Sequence, residues 1–130
     1  MKFNQPMITL LFACVALTPA LGQVRDHDPA WGAPLRFSSK LNPFASRSDV
    51  VAGGAKVFRQ RCASCHGDTG HGSRNAPDLT KRAVQAQPDG ALFWKITTGN
   101  THRGMPTFSF LPEPQRWQLV LQVRALGTAE

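Results

Sequence analysis

The chain has 130 residues, with 15 Lys and Arg against 8 Asp and Glu, and three cysteines. That length holds one small domain with additions and is too short for two ordinary domains with separate cores, so a single site is expected. The net charge of +7 comes from cations scattered through Arg25, Arg47, Lys56, Arg74, Lys95 and Arg124, with no dense run and no interleaved aromatics, which argues against nucleic acid and fits a solvated surface that steers towards an acidic partner.

The first segment, MKFNQPMITLLFACVALTPALGQ, passes from Lys2 through an apolar stretch over residues 7–17 to Pro19 and a small-x-small ending at Ala20 and Gly22. This is the pattern of a secretory signal peptide, so residues 1–22 are expected to be cleaved after Gly22 and the remainder delivered to the periplasm. The stretch is short for a bilayer span, and no later segment is apolar enough to make one. Leu11-Phe12-Ala13-Cys14 matches a lipidation box only loosely, because Phe12 is bulky and the apolar run continues past Cys14. Cys14 is therefore expected to leave with the leader, as are Lys2, Met1 and Met7, which reduces the formal charge to +6. Cys62 and Cys65 then remain as the cysteines and Met105 as the methionine. A bridge across two intervening residues closes too small a loop to stabilise much, so the pair is read as serving chemistry.

Residues 23–48 are rich in Pro, Ser and charge without a sustained period and read as an arm or linker, with Trp31, Phe37 and Phe44 as anchors that pack on the domain or on a partner. The domain proper is expected over residues 49–130. Ser48 is a candidate N-cap with Asp49 in the first turn, and Val51, Ala55, Phe58 and Cys62 fall on one face of an amphipathic helix. Gly53 and Gly54 inside it weaken the helix by about 1 kcal/mol each relative to alanine, which predicts a close helix crossing. After His66 comes a glycine-rich loop ending at Pro77, then short helices over residues 78–85 and 89–98, the latter carrying Leu92, Phe93 and Ile96 inward and stopping at Gly99. A second loop holds Met105. The last helix is expected to begin with Pro114 at its first position, present Trp117, Val120, Leu121 and a further apolar row, and stop at Gly127. No stretch shows strand alternation, so the fold class is all-α, with long loops and a core of about 80 residues that is marginal by itself.

The segment RCASCHG is compatible with three chemistries. A thioredoxin-like dithiol places its cysteines at a helix start after a strand, whereas this pair follows a helix. A structural zinc site needs two further Cys or His ligands at suitable spacing, and His71 and His102 are poorly placed for it. A covalent haem uses every residue: Cys62 and Cys65 add to the vinyl groups, and His66 becomes the proximal iron ligand. A haem asks for a sixth ligand. Met105, in the loop sequence RGMP between Gly104 and Pro106, is the first candidate, with His102 or an open position as the competitors. His27 and His71 read as exposed polar residues.

Taken together, RCASCHG, NAPDLT, LFWKITTGN, RGMP and LPEPQRWQLVLQVRAL resemble a class I monohaem cytochrome c of the small bacterial periplasmic kind, over about residues 49–127. The resemblance implies short helices wrapped around one covalent haem c, with the N- and C-terminal helices crossing where Gly54 and Phe58 face Trp117. It implies that the Pro77 carbonyl accepts the other ring N–H of His66 and so fixes the ring, and that Phe93, Trp94 and Phe108 are haem-packing or core residues. One departure is the Pro-Glu-Pro in place of a polar N-cap before the last helix, which leaves that helix's start open. The implied function is one-electron transfer with His66 and Met105 as iron ligands, by a carrier rather than an enzyme, or by a haem subunit serving a quinoprotein dehydrogenase or terminal oxidase. The competing reading is a haem enzyme or gas sensor in which Met105 is labile or absent from the iron.

Overall fold

The computed structural model describes residues 31–129; the leader, Cys14 and His27 lie outside them. Among the described residues there are six α-helices, α1 (Leu35–Ser38), α2 (Val51–Arg61), α3 (Ala63–His66), α4 (Arg82–Gln85), α5 (Asp89–Thr98) and α6 (Glu113–Gly127), with short 3-10 turns at Ser48–Val50 and Thr101–Arg103. No strand forms there, and the fold is the all-α one expected. No helix among these residues is long and apolar enough to cross a membrane.

Prolines start three of the helices. Pro34, Pro88 and Pro112 stand at the N-cap positions of α1, α5 and α6, with φ between −51° and −60° and extended ψ. Their fixed φ turns the chain into a helix at the place where no N–H is needed. This settles the Pro-Glu-Pro departure: Pro112 is the cap and Pro114 is the second helical residue, one position later than expected, and both sites tolerate a missing N–H because first-turn donors have no intrahelical acceptor. Glu113 then accepts the Trp117 indole N–H at 3.3 Å. The other starts depart more. Asp49 is held by the Arg47 guanidinium, no side chain caps α2, and Ser48 opens a 3-10 turn instead. The helix expected over 78–85 is shortened to α4 because the Asp78 carboxylate accepts from the Thr80 N–H (2.9 Å) and hydroxyl (2.6 Å), holding a turn.

The molecule is organised around α6, which lies against α2 on one side and α5 on the other. At the α2 crossing a Cβ on Gly54 would strike the backbone of Gln118, whose carbonyl carbon would be 2.7 Å away. The predicted close crossing is present, but its contact is the Gln118 backbone and not the Trp117 ring. One residue is about 100° of helix rotation, and that turns Trp117 towards α5, where it stacks on Phe93 at 4.0 Å. Because α6 is covered on two sides its buried face takes in Leu119, Val123 and Leu126 beside Trp117 and Val120. Leu119 is 1 % exposed, whereas Leu121 is half-buried.

Two apolar clusters result. Val84, Leu92, Phe93, Trp117, Val120 and Val123 form the first, with Phe44 packed against them. Phe58, Phe108, Leu111, Leu119 and Leu126 form the second. Residues 31–47 form a strap across α5 and α6. Asn42 is buried; its amide donates to the Trp117 carbonyl (3.2 Å) and accepts the Phe44 N–H (2.9 Å). Phe37 tilts against Trp94. Gln85 donates to the Leu79 and Val123 carbonyls at 2.7 and 2.9 Å, and Gly127, still helical, leaves room for that side chain. Arg124 gathers Asp89 Oδ1 and the Gln85 and Gln87 carbonyls, tying α4, α5 and α6 together.

Candidate functional site

The cysteine pair occupies one tight turn where α2 hands over to α3. The Cys62 N–H donates to the Phe58 carbonyl at 2.8 Å, and the Cys62 carbonyl accepts from Cys65 and His66 at 3.1 and 2.9 Å. Cys62 is half-buried and, with Ala63, packs against the second apolar cluster, while Cys65 is exposed. Both thiols are free. Burial, helped by the neighbouring Cys65, pushes the Cys62 thiol up to about 11. A dithiol catalyst needs the opposite shift, so position and chemistry both disfavour that reading.

His66 ends α3, and its ring is held from the following loop. Its carbonyl accepts the Gly72 N–H at 2.8 Å, which folds residues 67–72 back over α3. Gly72 has φ +79°, and a Cβ there would fall 2.5 Å from the Ala76 oxygen and 2.7 Å from the Pro77 carbonyl carbon. Only glycine permits both the left-handed turn and the close approach. The Pro77 carbonyl is thereby placed 3.0 Å from His66 Nδ1. A carbonyl can only accept, so Nδ1 carries the proton and the Nε2 lone pair is left bare. Burial lowers the imidazole pKa, against the pull of the Pro77 carbonyl, and favours the neutral ring.

Met105 lies in a closed loop. Asn100 and Met105 exchange two backbone hydrogen bonds, 2.9 and 3.0 Å, around the 3-10 turn Thr101–Arg103. The Met105 side chain is half-buried and packs against the same cluster as Cys62. The competing His102 is exposed on the 3-10 turn of the same loop, and His71 is exposed with its Nδ1 3.5 Å from Asp78. Among the described residues no group of three or more His, Cys, Asp or Glu could hold a metal ion, so a zinc set is not assembled there. Of the three aromatic candidates only Phe108 belongs to the Cys62 and Met105 side. Phe93 is in the other cluster, and Trp94 is half-buried beside Phe37.

Sequence reasoning did not single out Leu111, Leu119 and Leu126 as the wall of this side, nor Asn100 as the residue that closes the Met105 loop. The seven-residue step from Leu119 to Leu126 was a usable signal for the wall. The Asn100 pairing had none, since it depends on where the loop returns.

These donors suit a haem. A neutral imidazole with a bare Nε2 would serve as proximal ligand, two unbridged thiols at CxxC spacing as tethers and a thioether as sixth ligand, and the wall that Cys62 and Met105 meet is made of hydrocarbon side chains. Among curated proteins no match to the chain is found. A family described as Cytochrome C oxidase, cbb3-type, subunit III matches residues 49–121, more than half of the chain. The chain therefore belongs to that family: it is a class I c-type cytochrome domain that binds covalent haem c with its iron and serves haem-based electron transfer.

Proposed function

We propose that the protein is an exported, periplasmic one-electron carrier or haem subunit with His66 and Met105 as axial ligands and a terminal oxidase as its redox partner. When bound, the haem supplies an Fe(III)/Fe(II) couple. Cys62 and Cys65 tether it, which keeps a small exported protein from losing its cofactor. His66 stays neutral and oriented through the Nδ1–H to Pro77 bond. Met105 offers a soft donor that favours the ferrous state, and the apolar wall of Phe58, Phe108, Leu111, Leu119 and Leu126 disfavours the extra ferric charge. Two strong protein ligands leave no position for a substrate, which separates a carrier from a haem enzyme or gas sensor.

The observation that carries this reading is the convergence of Cys62 and Met105 on one apolar cluster beside a histidine whose ring is fixed by Pro77. The oxidase is inferred from the family description; a quinoprotein dehydrogenase is the other partner the sequence resemblance suggested. Lys56, Arg59 and Arg61 lie exposed on α2 just before Cys62 with no acidic partner among the described residues, which suits an acidic docking face.

The test is expression in a host that matures c-type haem. A peptide containing Cys62 and Cys65 should gain the mass of haem. The ferric protein should show a near-infrared methionine band and bind no carbon monoxide when reduced. Met105→Ala should abolish the band and lower the potential. An unchanged spectrum would move the sixth ligand to His102, and rapid carbon monoxide binding by the native protein would sink the carrier reading.

A further inference from the structure

The loop that carries Met105 is anchored at one end to the C-terminus of α5, and that anchor is completed from outside the family match. Gly99 follows α5 with φ +64°, and a Cβ there would lie 2.5 Å from the Pro106 carbonyl carbon and 2.7 Å from the Met105 oxygen. The Met105–Pro106 backbone therefore rests directly on the Gly99 Cα. The next residue, Asn100, makes the two-way pairing with Met105. The Gly99 carbonyl is one of the acceptors that the end of a helix leaves without an intrahelical donor. It accepts the Trp31 indole N–H at 3.0 Å, across 68 residues of sequence. The buried Lys95, whose carbonyl accepts the Gly99 N–H at 2.9 Å, has its ammonium 4.8 Å above the Trp31 ring. Trp31 is thus held from below by Lys95 and in turn holds the peptide on which the Met105 loop sits.

We propose that Trp31 is a positioning residue for the Met105 ligand: its indole N–H fixes the Gly99 carbonyl and so keeps the loop in the conformation that presents the thioether. The strap is then part of the redox site, although the family match begins at residue 49. This inference rests on Met105 being the sixth ligand. The effect is one of loop opening. Losing one hydrogen bond of ordinary net strength increases the population of the opened loop about five-fold, and an external ligand enters the iron only through that opened state. Coupling is reciprocal, so the bound methionine must protect the Trp31 N–H by the same factor.

Haem-loaded full-length protein is compared with Trp31→Phe, which keeps an aromatic ring but removes the donor, and with Phe44→Leu, a strap change in the other apolar cluster. Imidazole binding to the ferric protein, followed by loss of the methionine band, should accelerate about five-fold in Trp31→Phe. In Phe44→Leu the urea midpoint should fall while that rate stays at the wild-type value. A wild-type rate in Trp31→Phe, or an equal acceleration in Phe44→Leu, overturns the inference while leaving Met105 ligation intact. A wild-type protein without the methionine band overturns the ligation reading and this inference with it. Should Trp31→Phe fail to load haem, the reciprocal measurement decides: indole N–H exchange at Trp31 should be about five-fold faster in Met105→Ala than in wild type, and equal exchange overturns the inference.

Discussion

α6 separates two apolar regions that are completed in different ways. Towards α4, α5 and the strap, Phe93 stacks on Trp117, Val120 is fully buried, and the polar groups at the margin end on protein partners: Asn42 on Trp117 and Phe44, Gln85 on Leu79 and Val123, Arg124 on Asp89. Towards α2, the wall of Phe58, Phe108, Leu111, Leu119 and Leu126 is met at its edge by half-buried Cys62, Ala63 and Met105. The first side is closed by side chains and hydrogen bonds. The second presents sulfur atoms and, nearby, an imidazole whose free nitrogen is defined by the bond its other nitrogen makes. A small domain would gain from this division: one side supplies a rigid backing, and a haem seated on the other, as proposed, would add apolar contact.

The largest effect is expected on the Cys62 and Met105 side. Cys62→Ser with Cys65→Ser should abolish covalent haem altogether, seen as a polypeptide mass without the haem increment, while the helices facing the strap keep their contacts.

The next largest effect is at the α2–α6 crossing that joins the two sides. Gly54→Ala would push a methyl into the Gln118 backbone, which cannot move aside, and should lower unfolding stability by about 2–3 kcal/mol in urea titrations. Gly53→Ala meets the far end of the Gln118 side chain, 2.6 Å from Oε1, which can rotate away. It should be neutral or stabilise by up to about 1 kcal/mol through helix propensity. Equal costs at the two positions would contradict this account of the crossing.

On the strap side, Asn42→Ala leaves the Trp117 carbonyl and the Phe44 N–H without their buried partner and should cost about 1–2 kcal/mol. Limited proteolysis should then cut within residues 31–47 sooner than in wild type, with the haem spectrum unchanged.

The smallest effect concerns pH. Burial pushes the Asp78 carboxyl upward, but Thr80, His71 and Lys81 together hold it below the usual carboxylate range. Its folded value is thus depressed, so its contribution is present above the unfolded carboxylate pKa and is lost as pH falls through the lowered folded value, in a window below about pH 4. Asp78→Asn should lower the urea midpoint slightly near neutrality and flatten that acid limb, so that the two proteins converge as the pH is stepped down.

Much of this molecule was legible in advance. The amphipathic spacing of Val51, Ala55, Phe58 and Cys62 located α2, the span expected for α5 from Asp89 to the stop at Gly99 matched to the residue, and the double glycine announced a close crossing. The errors share a cause. Asp49, Asp78 and Gln118 each did something set by a neighbour: Arg47 took the first, Thr80 the second, and the rotation of α6 brought the third over Gly54 where Trp117 was expected. For the site, RCASCHG and the single late methionine supplied the candidate donor atoms, but not the wall residues Leu119 and Leu126 nor the Asn100 closure.

Residue type and local spacing alone carried the candidate chemistry, a CxxCH segment and an isolated Met105, together with the all-helical pattern, because donor identity and helical periodicity are local properties. What only the tertiary structure decided is which of these atoms are held and by what. The tautomer of His66 follows from a carbonyl 11 residues away, and the seat of the Met105 loop follows from an indole 68 residues before Gly99. Such contacts are made when distant segments dock, and no local propensity encodes a partner that only packing brings within 3.0 Å.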